Sequence, residues 1–395
     1  MRKAFRLTTK RNRPYGQPNI VKDGLDRVTD YDYNAQGNLI KVTSPDGTHE
    51  DYEYTTFGRL KKATDAAGHY GELLYDSWDR PYKSLAEDAS YAQIDVDPGG
   101  LVTSLRDKMA KVTTFAYDQT GQLLSRTSPR VDPVSLLHYT DTYEYDSHGS
   151  LVKWTNGRGK AVNYTRAARG ELWKVTYPAG TSGQEVYRYL PTGELAQRKN
   201  GLNQAIDYLR NGVGGLTKVD YPTGTTDTTV TYDSDGNVAT VVDASGTTTW
   251  TRDLAGRTTQ LAQPGGTVNT GYDAAGARVS SEEVGFGTST WAYNATTGRL
   301  DSKTNGYSET TSFHYDGYGR VDYLTLASGA KEHYAFDSMG RVQSIILKNS
   351  GGTALRSHVY DYLADGRIWK DTLDGVATTY TYDEEGQLLS ESRGE

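Results

Sequence analysis

Apolar and polar positions alternate along this chain in short runs. In Thr229-Val230-Thr231-Tyr232, residues 230 and 232 fall on one face of an extended strand and the threonines on the other. The same alternation puts an apolar residue two positions before a recurrent aromatic, at Tyr52, Phe115, Tyr143, Tyr187, Trp250, Phe313, Tyr360 and Tyr380. An aliphatic residue recurs two positions after a glycine, at Leu39, Leu60, Leu123, Leu151, Val238, Leu300, Val321 and Leu388. A helical period of 3.6 persists nowhere beyond a turn or so. The runs predict strands of about five to seven residues, the usual length.

One motif separates the runs: aromatic-Asp-x-x-Gly-x-aliphatic. It reads Tyr232-Asp233-Ser234-Asp235-Gly236-Asn237-Val238, and it returns at Tyr117-Asp118 to Gly121, Tyr145-Asp146 to Gly149 and Tyr272-Asp273 to Gly276. Further copies are Tyr315-Asp316 to Gly319 and Tyr382-Asp383 to Gly386, with Tyr33 to Gly37 and Tyr54 to Gly58 lacking the Asp. Most steps between successive glycines are about 20 to 23 residues, the signature of a repeat array. A second turn signal follows about half a period on, at Pro45-Asp46-Gly47, Ala67-Gly68 and Ser245-Gly246, and as Asn-Gly at Asn156, Asn200 and Asn305. Asn-Gly and Asp-Gly supply the positive φ values that tight hairpins require.

Two turns per period predict an all-β array of about 17 antiparallel hairpins, each of about 20–22 residues. The steps containing Pro129 and Pro133, and Ser350-Gly351-Gly352, are longer and read as loop insertions. No compositional break marks a linker, so residues 27–395 read as one continuous array. Residues 1–26 read as a weakly structured or capping segment.

Each motif residue has a structural task. The glycine takes a left-handed turn position, where a side chain would cost about 1–2 kcal/mol. Asp79 stands in one glycine slot, a residue type that tolerates that region. The Asp caps the turn through backbone N–H groups one or two residues on. The Tyr and the aliphatic residue pack across neighbouring hairpins as a ladder.

Composition narrows the architecture. The chain has 31 Tyr and 43 Gly but only 6 Phe and 6 Trp, with mean hydropathy −0.69. So few aliphatic residues argue against a compact globule and for a curved sheet packed neighbour to neighbour, an open spiral. The net charge of −7 spreads without a basic face, which gives no nucleic-acid footprint. The one basic cluster, Lys10-Arg11-Asn12-Arg13, reads as a solvated tail. Cysteine is absent, so disulfide and thiol chemistry are too. No run approaches the ~18 apolar residues of a membrane helix. Met1 to Ile20 lacks the apolar segment of a secretory signal.

No catalytic, cofactor or metal site emerges. A catalytic constellation is built once, whereas these Asp and Tyr residues recur in every unit. The seven His residues are scattered, and none lies at metal-ligand spacing from another. Asp146-Ser147-His148 has triad residue types, but adjacent in a turn, where they cannot line up. Gly212 to Gly215 lacks the Lys-Ser/Thr of a phosphate loop.

The repeated motif resembles the YD repeats of the Rhs family, which also occur in teneurins and in shell components of insecticidal toxin complexes. That resemblance implies hairpins laid side by side in a strip that spirals into a hollow shell. In polymorphic toxins and toxin complexes the shell encloses a C-terminal toxic polypeptide; in teneurins it is a cell-surface scaffold. An aspartic-protease-like segment with an Asp-Pro-x-Gly signature is expected after the last repeats. Asp97-Pro98-Gly99-Gly100 and Asp132-Pro133 lie within the array and are not that signature. The expectation is therefore a repeat-only fragment of a longer protein.

The leading functional expectation is a non-enzymatic, monomeric bacterial scaffold, secreted or at the cell surface. Its partners would be a polypeptide cargo or flanking shell segments. The alternative is a binding module that recognises glycans or proteins through aromatic ladders. Glycan-binding repeats usually keep Trp at a fixed place, whereas Trp78, Trp154, Trp173, Trp250, Trp291 and Trp369 fall at differing ones. A carbohydrate-active β-helix would need clustered carboxylates confined to one or two rungs.

Overall fold

The computed structural model describes residues 8–11, 17–178 and 183–394. Among these, 36 strands form one sheet in which every strand pairs antiparallel with its sequence neighbour. The ladder also runs on the N-terminal side of Arg27. Strand Thr8–Arg11 pairs with Pro18–Lys22, which pairs in turn with Val28–Tyr33. Asn12 and Arg13, and the side chains of Lys10 and Arg11, lie outside the described residues.

The sheet is one layer thick. Its accessible surface is 24281 Å², against about 15,000 Å² for a compact monomer of this mass. The buried hydrophobic residues are Val162 and Val175, at 8% and 5% exposed. One face carries tyrosines and aliphatics, as in the row Trp250, Leu261 and Val268 across three strands. The other is hydroxyl-rich, as in Thr231, Thr240 and Thr249. This is why a sequence so poor in aliphatic residues can still be ordered: each hairpin packs only on its neighbours.

The two long steps are not loop insertions. Their extra residues lengthen the strands, to Leu123–Val131 with His138–Tyr145 and to Val342–Lys348 with Ala354–Tyr362. Alternation continues through them, so pairing wins over looping out. Pro129 sits where the register shifts between Thr127 and Val131 and no ladder N–H is needed.

The strip also winds past itself. Asp46 bonds the guanidinium of Arg299, 253 residues away, and the Ser128 hydroxyl donates to Glu385 Oε1 at 2.6 Å, 257 residues away. Gly24 lies so close to the Ala274 carbonyl oxygen that a Cβ there would be 2.1 Å from it. Asp46 and Gly24 stand on half-period turns of the first revolution and Ser128 on a lengthened strand, and all three meet motif turns of the second. No strand of one revolution pairs with a strand of the other among the described residues. About 24 strands at ~4.8 Å spacing give a backbone circle of ~37 Å diameter and a clear bore of ~27 Å inside the side chains. The architecture is an open, wound hairpin strip.

Candidate functional site: turn, staple and seam

The motif turn is the same small device throughout. Gly236 N–H donates to the Asp233 carbonyl at 3.1 Å, and Asp233 N–H to the Asn237 carbonyl at 2.9 Å. Gly236 has φ +84, and the register shifts between Thr231 and Tyr232, a type I turn followed by a glycine bulge. Asp233 Oδ1 accepts from the amides of Asp235 and Asn237, two and four residues on. These amides, Asn237 foremost, hold the Asp233 carboxyl below its ordinary range. Asp118, Asp146, Asp316 and Asp383 accept the same pair of amides, as does Asn34; for Asp273 the bond from Ala277 N is present.

The glycines at 37, 58, 121, 149, 236, 276, 319 and 386 all have positive φ, and Asp79 takes φ +62 in its slot. The Asn-Gly turns differ from expectation. The left-handed residue there is Gly159, Asn203 or Ser308, three positions after the Asn, while the Asn side chain caps like the motif Asp. These turns use the three-residue bulge geometry and not a two-residue hairpin, so the Asn-Gly pair has no mirror-image turn to serve.

The tyrosine does more than pack. Strand Leu60–Thr64 pairs with Tyr70–Tyr75 only as far as Lys62 with Glu72, and beyond that the two ends splay. The Tyr75 hydroxyl crosses the gap and donates to the Leu60 carbonyl at 2.7 Å. Tyr33, Tyr117, Tyr145, Tyr232, Tyr272, Tyr315 and Tyr382 make the equivalent bond to Pro18, Val102, Leu123, Leu216, Thr258, Leu300 and Ile368. Each recipient is the first residue of a return strand, whose carbonyl would otherwise have no partner on that side. Tyr54 shares the slot, and burial raises its hydroxyl pKa. The sequence carried a signal for this staple in the 14 to 16 residues that usually separate donor and acceptor. That spacing becomes 22 and 20 in the two long hairpins.

The seam adds to one motif residue, Asp383, side chains that lie outside the motif. Arg130 Nη1 lies 3.5 Å from Asp383 Oδ2, and Arg126 Nη2 lies 3.8 Å from Glu385 Oε1. Among the described residues Ser128 and Asp383 are the two buried polar ones, 2% and 8% exposed, and both sit here. The lengthened hairpin of strands Leu123–Val131 and His138–Tyr145 reaches across to the last motif turn. At the other contact, partial burial works to raise the Asp46 carboxyl. Hydrogen bonds from Thr48 and Arg299 outweigh it and hold the group below its ordinary range.

Elsewhere several polar groups pair with near neighbours. His314 stacks on Tyr323 at 4.4 Å and bonds Asp322 at 2.6 Å. Tyr52 bonds Glu50 at 2.5 Å, which with burial pushes its pKa up to about 12. No group of three or more His, Cys, Asp or Glu residues could hold a metal among the described residues. No helix is long and apolar enough to cross a membrane. The structure spreads the motif residues along one edge and gathers none of them into a cleft.

Turn, staple and seam define a scaffold fold with a wall and a bore. The RHS Repeat family model matches residues 21–49, 33–70 and 232–268. The chain therefore carries YD/Rhs repeats. Its fold is similar to that of TcdB2-TccC3, at 16% identity and TM-score 0.72 over 98% of this chain and 24% of that one. It is similar to TcdB2-TccC3-Cdc42 at 15% and 0.71, over 94% of this chain and 23% of that one. The Photorhabdus luminescens Tc holotoxin pore matches at 13% and 0.59, over 93% and 24%. The chain spans about a quarter of the length of these chains. No curated protein matches it by sequence.

Proposed function

We propose that this chain is a section of a hollow, non-enzymatic shell of a secreted bacterial protein, whose wall surrounds or presents another polypeptide. The observation that carries this reading is the meeting of Asp46 with Arg299 and of Ser128 with Glu385, which makes the strip complete a revolution around a bore. The fold it shares with toxin-complex proteins supports the same reading. Shell sections and a polypeptide cargo are the partners such a wall would have. The motif Tyr hydroxyls are committed to backbone carbonyls, which leaves that row poorly placed to hydrogen-bond a glycan. The test is co-expression with an unrelated polypeptide fused after Glu395, followed by protease challenge. Protection of the fused segment supports enclosure or close presentation by the wall. Digestion at the rate of the free segment contradicts it.

A further inference from the structure

Two kinds of bond hold the wound strip together, and they differ in chemistry. Neighbouring hairpins are joined by backbone ladders and by neutral tyrosine staples, which salt scarcely touches. Revolutions meet chiefly through charged side chains, on turns and on the lengthened strand Leu123–Val131. Asp46 takes the Arg299 guanidinium, and Arg130 and Arg126 face Asp383 and Glu385 in the clasp. The polarity reverses between the two contacts. The first revolution supplies the acid at Asp46 and the bases at Arg126 and Arg130. A slid strip would have to find partners of opposite sign at the two places at once.

We infer that these ion pairs form a zipper that fixes the register of the coil and opens without melting the hairpin ladder. The side chains of Arg299 and Asp46 are 21% and 11% exposed, and those of Arg130 and Asp383 are 30% and 5% exposed. They are shielded enough to hold at moderate salt and open enough to be reached at high salt, where the Debye length falls to ~3 Å. Removing one partner strands the other charge in a partly buried place, which drives the turns apart. The wall thus has a seam that can separate while each hairpin stays folded. The inference rests on the coil geometry and is independent of what the coil holds.

The chain has no cysteine, so labels can be placed at will. Spin labels at His49→Cys and Thr296→Cys, both exposed and beside the Asp46–Arg299 contact, report the seam. Far-UV circular dichroism reports the ladder. The unaltered contact is expected to give one short distance. Arg299→Glu, or ~1 M salt, is expected to abolish it with the strand signal unchanged, and Arg299→Glu with Asp46→Arg is expected to restore it. Three results would overturn the zipper: a short distance that persists in Arg299→Glu and in high salt, a strand signal lost together with it, or a charge swap that fails to restore it.

Discussion

The ladder between neighbouring hairpins and the seam between revolutions solve one problem in opposite ways. In the ladder, a Tyr, an Asp and a Gly act within one or two hairpins, and many repeats write them again. In the seam, residues about 250 apart meet across the coil, as Asp46 does with Arg299 and Ser128 with Glu385. Repetition makes the ladder tolerant, because losing one staple leaves its neighbours intact. The seam relies on fewer bonds, spaced further apart, with Asp88 facing Arg341 and Asp107 facing Arg367 between its two described ends. The wall owes its thickness and curvature to local rules, and its closure to side chains that meet across the coil.

That contrast can be broken from either side. The largest expected effect is at the clasp. Ser128→Leu would overpack a residue that is 2% exposed and remove the Glu385 bond, at about 2–3 kcal/mol. Hydrogen exchange should then rise at residues 383–387 and stay unchanged at 233–237; a uniform rise would show that ladder and seam are one unit. Gly24→Val should pry apart the other end of the seam, where the Ala274 carbonyl leaves no room for a Cβ. The sign to look for is a longer maximum dimension in X-ray scattering.

On the ladder side, Gly236→Val should cost about 1–2 kcal/mol, since φ +84 alone strains any side chain there. Asn237→Ser should be near neutral. Equal exchange rates in both variants would mean that the turn is not strained. Tyr232→Phe should cost about 1 kcal/mol, because the Leu216 carbonyl loses its donor while the packing remains. Phe336 occupies the same slot naturally, so the array tolerates such a loss in places.

Acid should have the smallest effect. The folded Asp46 carboxyl titrates below its ordinary range, so its contribution is complete above about pH 4 and fades as pH falls through the depressed value. The seam distance should therefore lengthen below about pH 4. Lengthening near neutrality would point to another group.

The sequence made the ladder legible because recurrence repeats its evidence. Glycine spacing, alternation and the Asp-x-x-Gly turn all point to one hairpin unit. The seam was not legible, since neither Asp46 nor Arg299 differs from ordinary turn residues until the coil brings them together. The staple was half legible: the spacing from Leu60 to Tyr75 repeats, but only the splayed strand ends give the hydroxyl its purpose. The Asn-Gly turns misled because the same dipeptide serves two turn geometries, and the strand twist chose the bulged one.

The wound strip around a bore is tested most directly by small-angle X-ray scattering of the purified chain. The account predicts a distance distribution skewed toward the wall of a hollow coil ~37 Å across at the backbone, with a central minimum in the reconstructed density. A filled, compact envelope, or an extended ribbon with no contact between residues 46 and 299, would contradict it.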